Sequence, residues 1–172
     1  IRSTTWLGSN LLEGNQHWIL GDDKKFIKKA LNITDSLCKI FDELLVNAQD
    51  QYIRSPRFTS EEGGGTTIIS VDFNDETGEL IIMNNGKCFG VYFDTKIQAY
   101  SVQGNITREY SGSNFNDDKN DRVTGGLNGV GLKLCTTLSK IFGVETVDWK
   151  RNLYYKQICR DNMNVIEEPT II

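Results

Sequence analysis

The stretch that decides the fold is Phe41-Asp42-Glu43-Leu44-Leu45-Val46-Asn47-Ala48-Gln49-Asp50. Apolar residues within and around it recur at the i, i+3, i+4 and i+7 spacing of one helix face. A run of capping residues, Thr34-Asp35-Ser36, comes just before that pattern. We therefore predict a helix over residues 35–53. Its predicted buried face consists of Leu37, Ile40, Phe41, Leu44, Leu45, Ala48 and Gln51 with Tyr52.

A polar stripe runs beside that apolar face and carries Glu43, Asn47 and Asp50. A carboxylate and an amide one helical turn apart can present oxygens together to a cation or to a polarised water. Taken alone, the stripe is better explained by a solvated helix flank. The choice between the two interpretations depends on the motifs that follow along the chain.

Size and composition predict one soluble globular domain over residues 1–172. Hydrophobic residues make up 38% of the chain and charged residues 24%. The sequence has no apolar run of bilayer-spanning length and no signal peptide, so we expect no membrane association. Because the first residue is Ile1 rather than Met, we expect part of a longer chain.

The charge balance argues against a nucleic-acid-binding surface on this segment. Lys and Arg number 19 against 23 Asp and Glu, which gives a net charge of −4. Domains that hold a phosphate backbone are usually basic. The four cysteines are widely spaced, which indicates reduced thiols in an intracellular protein. Since His17 is the only histidine, a general base would have to be a carboxylate.

A β-hairpin is predicted next, from β-branched residues 66–73, a turn at 74–78 and a returning strand at 79–83. It is followed at once by Asn84-Asn85-Gly86. The side-chain oxygen of Asn84, at a strand end, could pair with an exocyclic amine, and Gly86 would let the backbone approach a planar base.

A glycine-rich loop, Thr124-Gly125-Gly126-Leu127-Asn128-Gly129-Val130-Gly131, opens a predicted helix over 132–142. Backbone N–H groups and the helix dipole make such a loop a natural polyphosphate site, to which Lys133 could add a charge. Alone the loop is a weak signal, and a purely structural loop is the alternative. A Walker P-loop is excluded because Leu132 follows Gly131, and no βαβ unit supports a dinucleotide fingerprint.

The remaining segments are less strongly patterned. Residues 1–25 are predicted to be loop-rich with one strand at most, and 26–33 fits a strand or a short helix. Residues 87–123 are irregular and polar, with a short helix near 103–110, which is typical of a binding loop or lid. Strands are predicted at 143–149 and 153–161, with one more short strand in 165–172.

Taken in order, these motifs resemble the GHKL (Bergerat-fold) ATPases, and most closely the N-terminal ATPase domain of eukaryotic-type type IIA DNA topoisomerases. Residues 39–50 are similar to that family's first motif nearly residue for residue. Arg2–Ser9 resembles its N-terminal loop, and Asn84-Asn85-Gly86-Lys87 resembles the start of its second motif. Ser113-Asn114-Phe115 and residues 124–135 are similar to its lid and third motif.

The resemblance implies a fold and a role for each matching residue. The fold would be α+β: a two-layer α/β sandwich with helices on one face of a mixed, mostly antiparallel sheet. Glu43 would be the general base, Asn47 would coordinate Mg²⁺ and contact ATP, and Asn84 would contact adenine. Ser113 and Asn114 would reach the ribose or α-phosphate. The triphosphate would be wrapped by Gly126, Leu127, Asn128, Gly129, Val130, Gly131 and Lys133.

Three departures from the family pattern stand out. The family's Gly-Ile-Pro is here Cys88-Phe89-Gly90-Val91, residues 92–102 follow no family pattern, and the usual arginine of the third loop is Leu127. The divergence suggests a viral, phage or protist source. The family's transducer domain, with its lysine for the γ-phosphate, and its N-terminal arm are not among these residues. We therefore expect the chain to bind ATP, to hydrolyse it slowly and to stay largely monomeric alone.

By the resemblance, the parent would be an ATP-hydrolysing type II DNA topoisomerase. Mg²⁺–ATP binding would close a homodimeric gate around double-stranded DNA bound through other domains of the parent, in the nucleus or cytoplasm (or in a virion, for a viral source). The alternatives are a mismatch-repair, chaperone or histidine-kinase GHKL module, a non-hydrolysing nucleotide sensor, and an unrelated interaction domain that binds no nucleotide.

Overall fold

The computed structural model describes residues 8–9, 11–54, 64–87, 89–108 and 130–172. The chain divides into two compact units, Ile1–Asp42 and Glu43–Ile172, with the boundary inside a helix. Each unit is described by itself below, and the single domain over 1–172 stays a prediction.

The first unit is built on an antiparallel hairpin of β1 (Glu13–Leu20) and β2 (Phe26–Ile33). Its register runs from Glu13 opposite Ile33 to Leu20 opposite Phe26. The turn is closed by the Gly21 N–H, which donates to the Lys25 carbonyl at 2.8 Å. This settles the open choice at 26–33 in favour of a strand.

The long helix α1 spans Asp35–Arg54, one residue beyond its predicted end. Its buried face is narrower than predicted, because Leu37, Phe41 and Tyr52 are exposed while Ala48 is buried. Asp50, predicted to lie on the polar stripe, is buried beside it, and its carboxylate lies 3.8 Å from the Arg54 guanidinium. The buried part of α1 therefore includes a charged residue that the pattern placed among the polar ones.

The predicted hairpin is confirmed as β3 (Ile69–Asn74) and β4 (Glu79–Asn84), paired antiparallel from Ile69 opposite Asn84 to Asn74 opposite Glu79. The Asn74 side-chain oxygen accepts the N–H groups of Glu76 and Thr77. Gly78 has a φ of 68°. An asparagine that caps its own turn and a glycine in the left-handed region are the chemistry by which a tight turn is encoded.

The segment 89–108 is more ordered than predicted. It contains β5 (Phe93–Asp94), β6 (Ala99–Tyr100) and α2 (Ser101–Thr107). Val91 and Val102 are fully buried against Tyr155 and form the core of the second unit. The prediction of an irregular lid starting at residue 87 is therefore wrong for this part, since a few apolar residues among polar ones suffice to anchor it. The rest of the predicted lid, 109–123, lies outside the described residues.

The second unit ends in α3 (Gly131–Leu138) and a sheet of order β10-β8-β7, with β9 also paired to β8. These strands are β7 (Ile141–Asp148), β8 (Leu153–Arg160), β9 (Val165–Ile166) and β10 (Thr170–Ile171). The helix predicted to reach 142 stops at Leu138 because Ser139 turns extended and donates its N–H to the Cys135 carbonyl. Ile141 and Phe142 instead begin β7, and the tail holds two short strands rather than one.

All strand pairs in the described part of the chain are antiparallel and lie in four separate sheets, alongside three helices. The α+β class is therefore confirmed. None of the helices in the described ranges has the length and apolar character needed to span a bilayer.

The buried Asp148 carboxylate makes hydrogen bonds to two separate segments of the second unit. It accepts the Val91 N–H at 2.8 Å and the Arg151 guanidinium at 2.7 Å. Burial alone would raise the pKa of Asp148, but these hydrogen bonds outweigh it and hold that pKa below its usual value. The ion therefore stabilises the fold above the ordinary aspartate pKa of about 4, and this contribution is lost as the pH falls through the lower pKa of the folded state.

Replacement of Asp148 by Asn is expected to lower the free energy of unfolding by roughly 1.5–3 kcal/mol at pH 7, because hydrogen bonds to a buried ion are lost. The deficit should shrink as the pH is lowered below 4. Urea titrations at several pH values measure it, with Asp72→Asn, at an exposed position on β3, as the control. A deficit that is the same at every pH would contradict the assignment.

Candidate functional site

Helix α1 carries a polar stripe of Glu43, Asn47 and Gln51, which are spaced one turn apart. Glu43 and Gln51 are half-buried, while Asn47 is exposed. Gln51, which the periodicity placed on the predicted buried face, continues the line of Glu43 and Asn47, while Asp50, the third predicted member of the stripe, is buried. Each of the three side chains has a different neighbour. Two of these neighbours belong to motifs that are far from α1 in the sequence.

Glu43 lies against the first residue of α3. A Cβ added to Gly131 would collide with the Glu43 carboxylate oxygen and would lie 3.0 Å from its Cδ. Gly131 is buried, so the missing side chain is what makes room for the carboxylate. The first motif and the end of the glycine-rich loop therefore meet at this point.

The N-terminus of α3 has no side-chain cap among the described residues, and Val130 stands at the cap position. The first N–H groups of a helix have no partner within the helix, and the helix dipole makes this end partly positive. Such an end favours anions. The Glu43 carboxylate therefore lies beside the partly positive end of α3.

The Asn47 amide is oriented by the helix itself. Its Nδ2 donates to the Glu43 carbonyl oxygen at 2.6 Å. Because a carbonyl can only accept, the amide nitrogen must face it, and the side-chain oxygen Oδ1 is left to face away. An exposed amide oxygen, one turn from a carboxylate, is the kind of ligand that Mg²⁺ prefers in proteins.

The turn after β4 is held by Asn85 rather than Asn84. Asn85 accepts the N–H groups of Thr67 and Ile68, each at 2.8 Å, and donates to the Thr67 hydroxyl. Asn84 is exposed and donates to the Asn85 carbonyl at 3.2 Å. Asn85 thus orients the amide of Asn84 at the strand end. The motif contains Asn85, but the sequence predicted no role for it.

Gly86 makes a close backbone approach, but its partner is the chain itself. A Cβ at Gly86 would lie 2.8 Å from the Gly65 carbonyl carbon and from the Thr66 nitrogen, and its φ is 94°. Substitution would therefore be strained in two ways. The contact with Gly65 and Thr66 is sufficient to explain a glycine at this position. The predicted role of Gly86, to let the backbone approach a planar base, stays a prediction.

Other predicted site residues have a defined place without a tested role. Lys133 is 4% exposed in the first turn of α3, and the Thr137 hydroxyl donates to its carbonyl. Its role toward a phosphate stays a prediction, as does that of Val130. Six of the predicted contacts lie outside the described residues: Ser113, Asn114, Gly126, Leu127, Asn128 and Gly129.

The two ends of segment 109–129 are attached to packed helices. The Thr136 hydroxyl of α3 donates to the Ile106 carbonyl of α2 at 3.0 Å and to the Leu132 carbonyl. Thr136 and Ile106 are both fully buried. The residues on either side of that segment are therefore fixed relative to each other.

Comparisons with known proteins agree with the family suggested by the motifs. No family model matches the chain. It is 35% identical over 171 residues to DNA topoisomerase 2 of Candida glabrata, and 34% identical over 163 residues to DNA topoisomerase 2-alpha of Homo sapiens. These matches cover 99% and 95% of the chain, which spans only 12% and 10% of those proteins.

Solved structures show the same likeness. The ATPase region of Saccharomyces cerevisiae topoisomerase II superposes with a TM-score of 0.87 at 32% identity, over 99% of this chain and 43% of that one. The ATPase and transducer domains of DNA topoisomerase II from Balamuthia mandrillaris give 0.87 at 36% identity, over 99% and 41%. The predicted fold is thereby confirmed.

Replacing Gly131 by Ala is expected to cost about 1–3 kcal/mol of stability, because the new methyl group displaces the Glu43 side chain. In a Glu43→Ala background most of that cost should disappear, since the carboxylate is gone and only the Cβ of residue 43, 3.3 Å from the new methyl group, remains close. Urea unfolding of the four proteins measures this coupling.

The control is Gly143→Ala in β7, where an added Cβ meets nothing within 4 Å. Its effect should be the same in both backgrounds. Additive effects of the Gly131 and Glu43 changes would show that the two residues do not share the contact.

Proposed function

Since this chain is a homologue of the ATPase region of type II DNA topoisomerases, we propose that it binds Mg²⁺–ATP and hydrolyses it with Glu43 as the general base. The observation that carries the proposal is the seating of Glu43 at the start of α3. A carboxylate beside a helix N-terminus places a proton acceptor next to the position that a terminal phosphate would take.

Each of the described site residues has a separate role. The Glu43 carboxylate orients and polarises the attacking water, and Asn47 offers Oδ1 as a ligand for Mg²⁺. When bound, Mg²⁺ offsets the charge that develops on the phosphates during transfer. Asn84, at the end of β4, contacts the base. The first-turn N–H groups of α3 hold phosphate oxygens.

The parent protein is proposed to be an ATP-dependent type II DNA topoisomerase. This chain spans about a tenth of the length of its curated relatives. In that parent, nucleotide binding would close a homodimer around a DNA duplex bound by other parts of the protein, and the location would be the nucleus or cytoplasm. The relatives and solved structures named above are type II topoisomerases, which favours this class over mismatch-repair or chaperone ATPases.

The test is the substitution Glu43→Gln, which keeps size and hydrogen bonding but removes the base. Binding of a non-hydrolysable ATP analogue should stay within about threefold of wild type, while the single-turnover rate with protein in excess should fall at least about a hundredfold. Calorimetry measures the affinity, and release of labelled phosphate measures the rate.

The matched control is Asp42→Asn, which removes an exposed carboxylate from the neighbouring position and should leave both quantities unchanged. If wild type and Glu43→Gln showed equal residual rates while both bound the analogue, the chain would be a nucleotide sensor rather than a hydrolase. If wild type bound no nucleotide, the proposal would fail altogether.

A further inference from the structure

Gln51 makes a contact that no motif assigns. Its side-chain Nε2 donates to the Lys87 backbone carbonyl at 2.6 Å, across 36 positions of sequence. Lys87 is the last residue of the turn Asn84-Asn85-Gly86-Lys87 that follows β4. We infer that Gln51 is a positioning residue, which fixes the base-contacting turn relative to the catalytic end of α1. This inference rests on the proposed function and concerns how the site distinguishes the base from the phosphates.

The turn that Gln51 holds is rigid on its other side. The Lys87 N–H donates to the Gly64 carbonyl at 3.0 Å, and the Thr66 hydroxyl donates to the Asn85 carbonyl at 2.9 Å. Thr66 is buried, and Gly86 packs against the backbone of Gly65 and Thr66. Displacement of this turn therefore moves several residues together, and the bond from Gln51 acts on the turn as a whole.

The position of Gln51 on α1 places its contact at a fixed distance from Glu43. Gln51 lies two turns beyond Glu43, which is about 12 Å along the helix axis. Glu43 contacts Gly131 at one end of this distance, and Gln51 contacts Lys87 at the other. One rigid helix thus sets the separation between the water-polarising carboxylate and the strand end that carries Asn84.

The chemistry of the contact requires a glutamine. The Lys87 carbonyl can only accept, so its partner must donate, which a carboxylate does not do at neutral pH. Glutamate in place of Gln51 would keep the shape and bring two acceptors together. Asparagine would keep the amide but is shorter by one methylene. The three variants Gln51→Ala, Gln51→Glu and Gln51→Asn therefore separate the donor from the packing.

The test compares a ligand that has a base with one that lacks it. Calorimetry of the chain with Mg²⁺ and a non-hydrolysable ATP analogue should show binding about three- to tenfold weaker in Gln51→Ala, and weaker again in Gln51→Glu, since one hydrogen bond to the turn is lost or replaced by repulsion. Binding of inorganic triphosphate with Mg²⁺ should not change. The preference for the adenine over the guanine analogue should fall by the same factor as the ATP analogue's affinity.

The matched control is Gln49→Ala, which removes the same side chain from an exposed position two residues earlier on α1. It should bind both ligands as wild type does. Equal weakening of the ATP analogue and triphosphate in Gln51→Ala would overturn the inference, because it would show a general loss of structure. Unchanged binding of the ATP analogue in Gln51→Ala and Gln51→Glu would also overturn it.

The failure of the proposed function is distinguishable from these results. If wild type binds neither the ATP analogue nor triphosphate, the nucleotide site itself is wrong, and the role of Gln51 falls with it. If wild type binds triphosphate but shows no preference between adenine and guanine analogues, the phosphate end of the proposed site stands while the base-contacting turn, and with it the positioning role, does not.

Discussion

The contact between the Glu43 carboxylate and the bare Cα of Gly131 is the constraint on which the site depends. The Glu43 side chain can take this position only because residue 131 has no Cβ. Gly131 provides this space, and the positive end of α3 compensates the charge. The glycine is thus needed for a neighbouring carboxylate as well as for the phosphate contacts expected of a glycine-rich loop.

From that contact the remaining geometry follows along α1. Asn47 lies one turn beyond Glu43, with its amide oriented by a backbone carbonyl, and Gln51 lies one turn further, bonded to the turn after β4. Through Glu43 and Gln51, the single helix α1 thereby contacts residues of two other motifs. Elsewhere in the second unit, Thr136 joins α3 to α2, and the buried Asp148 accepts the Val91 N–H. Because α1 is one continuous helix, it sets the distance between the residue that contacts Gly131 and the residue that contacts Lys87.

The sequence predicted the elements that have a strong local signal. Periodicity and capping predicted α1, and β-branched alternation around an Asn-rich turn predicted the β3–β4 hairpin. In the segment 89–108 the short helix predicted near 103–110 is present as α2, but β5 and β6 were missed, because the order there comes from Val91, Val102 and Ile106, which are buried and show no local period. The contacts of Gln51 and Asn85 were missed because most of their partners are backbone groups, which leave no trace in side-chain patterns. Glu43 and Asn47 were singled out because resemblance to a family supplied what spacing alone left open, and their roles stay predictions.

The most direct test of this account is a calorimetric titration of the chain with a non-hydrolysable ATP analogue, with and without Mg²⁺, for wild type and Asn47→Ala. We expect Mg²⁺ to strengthen binding to wild type, and we expect the substitution to remove at least about tenfold of that gain, because it removes the Asn47 amide oxygen, which faces away from the helix backbone. Binding without Mg²⁺ should be the same in both proteins. A Mg²⁺-dependent gain of equal size in wild type and Asn47→Ala would contradict the account.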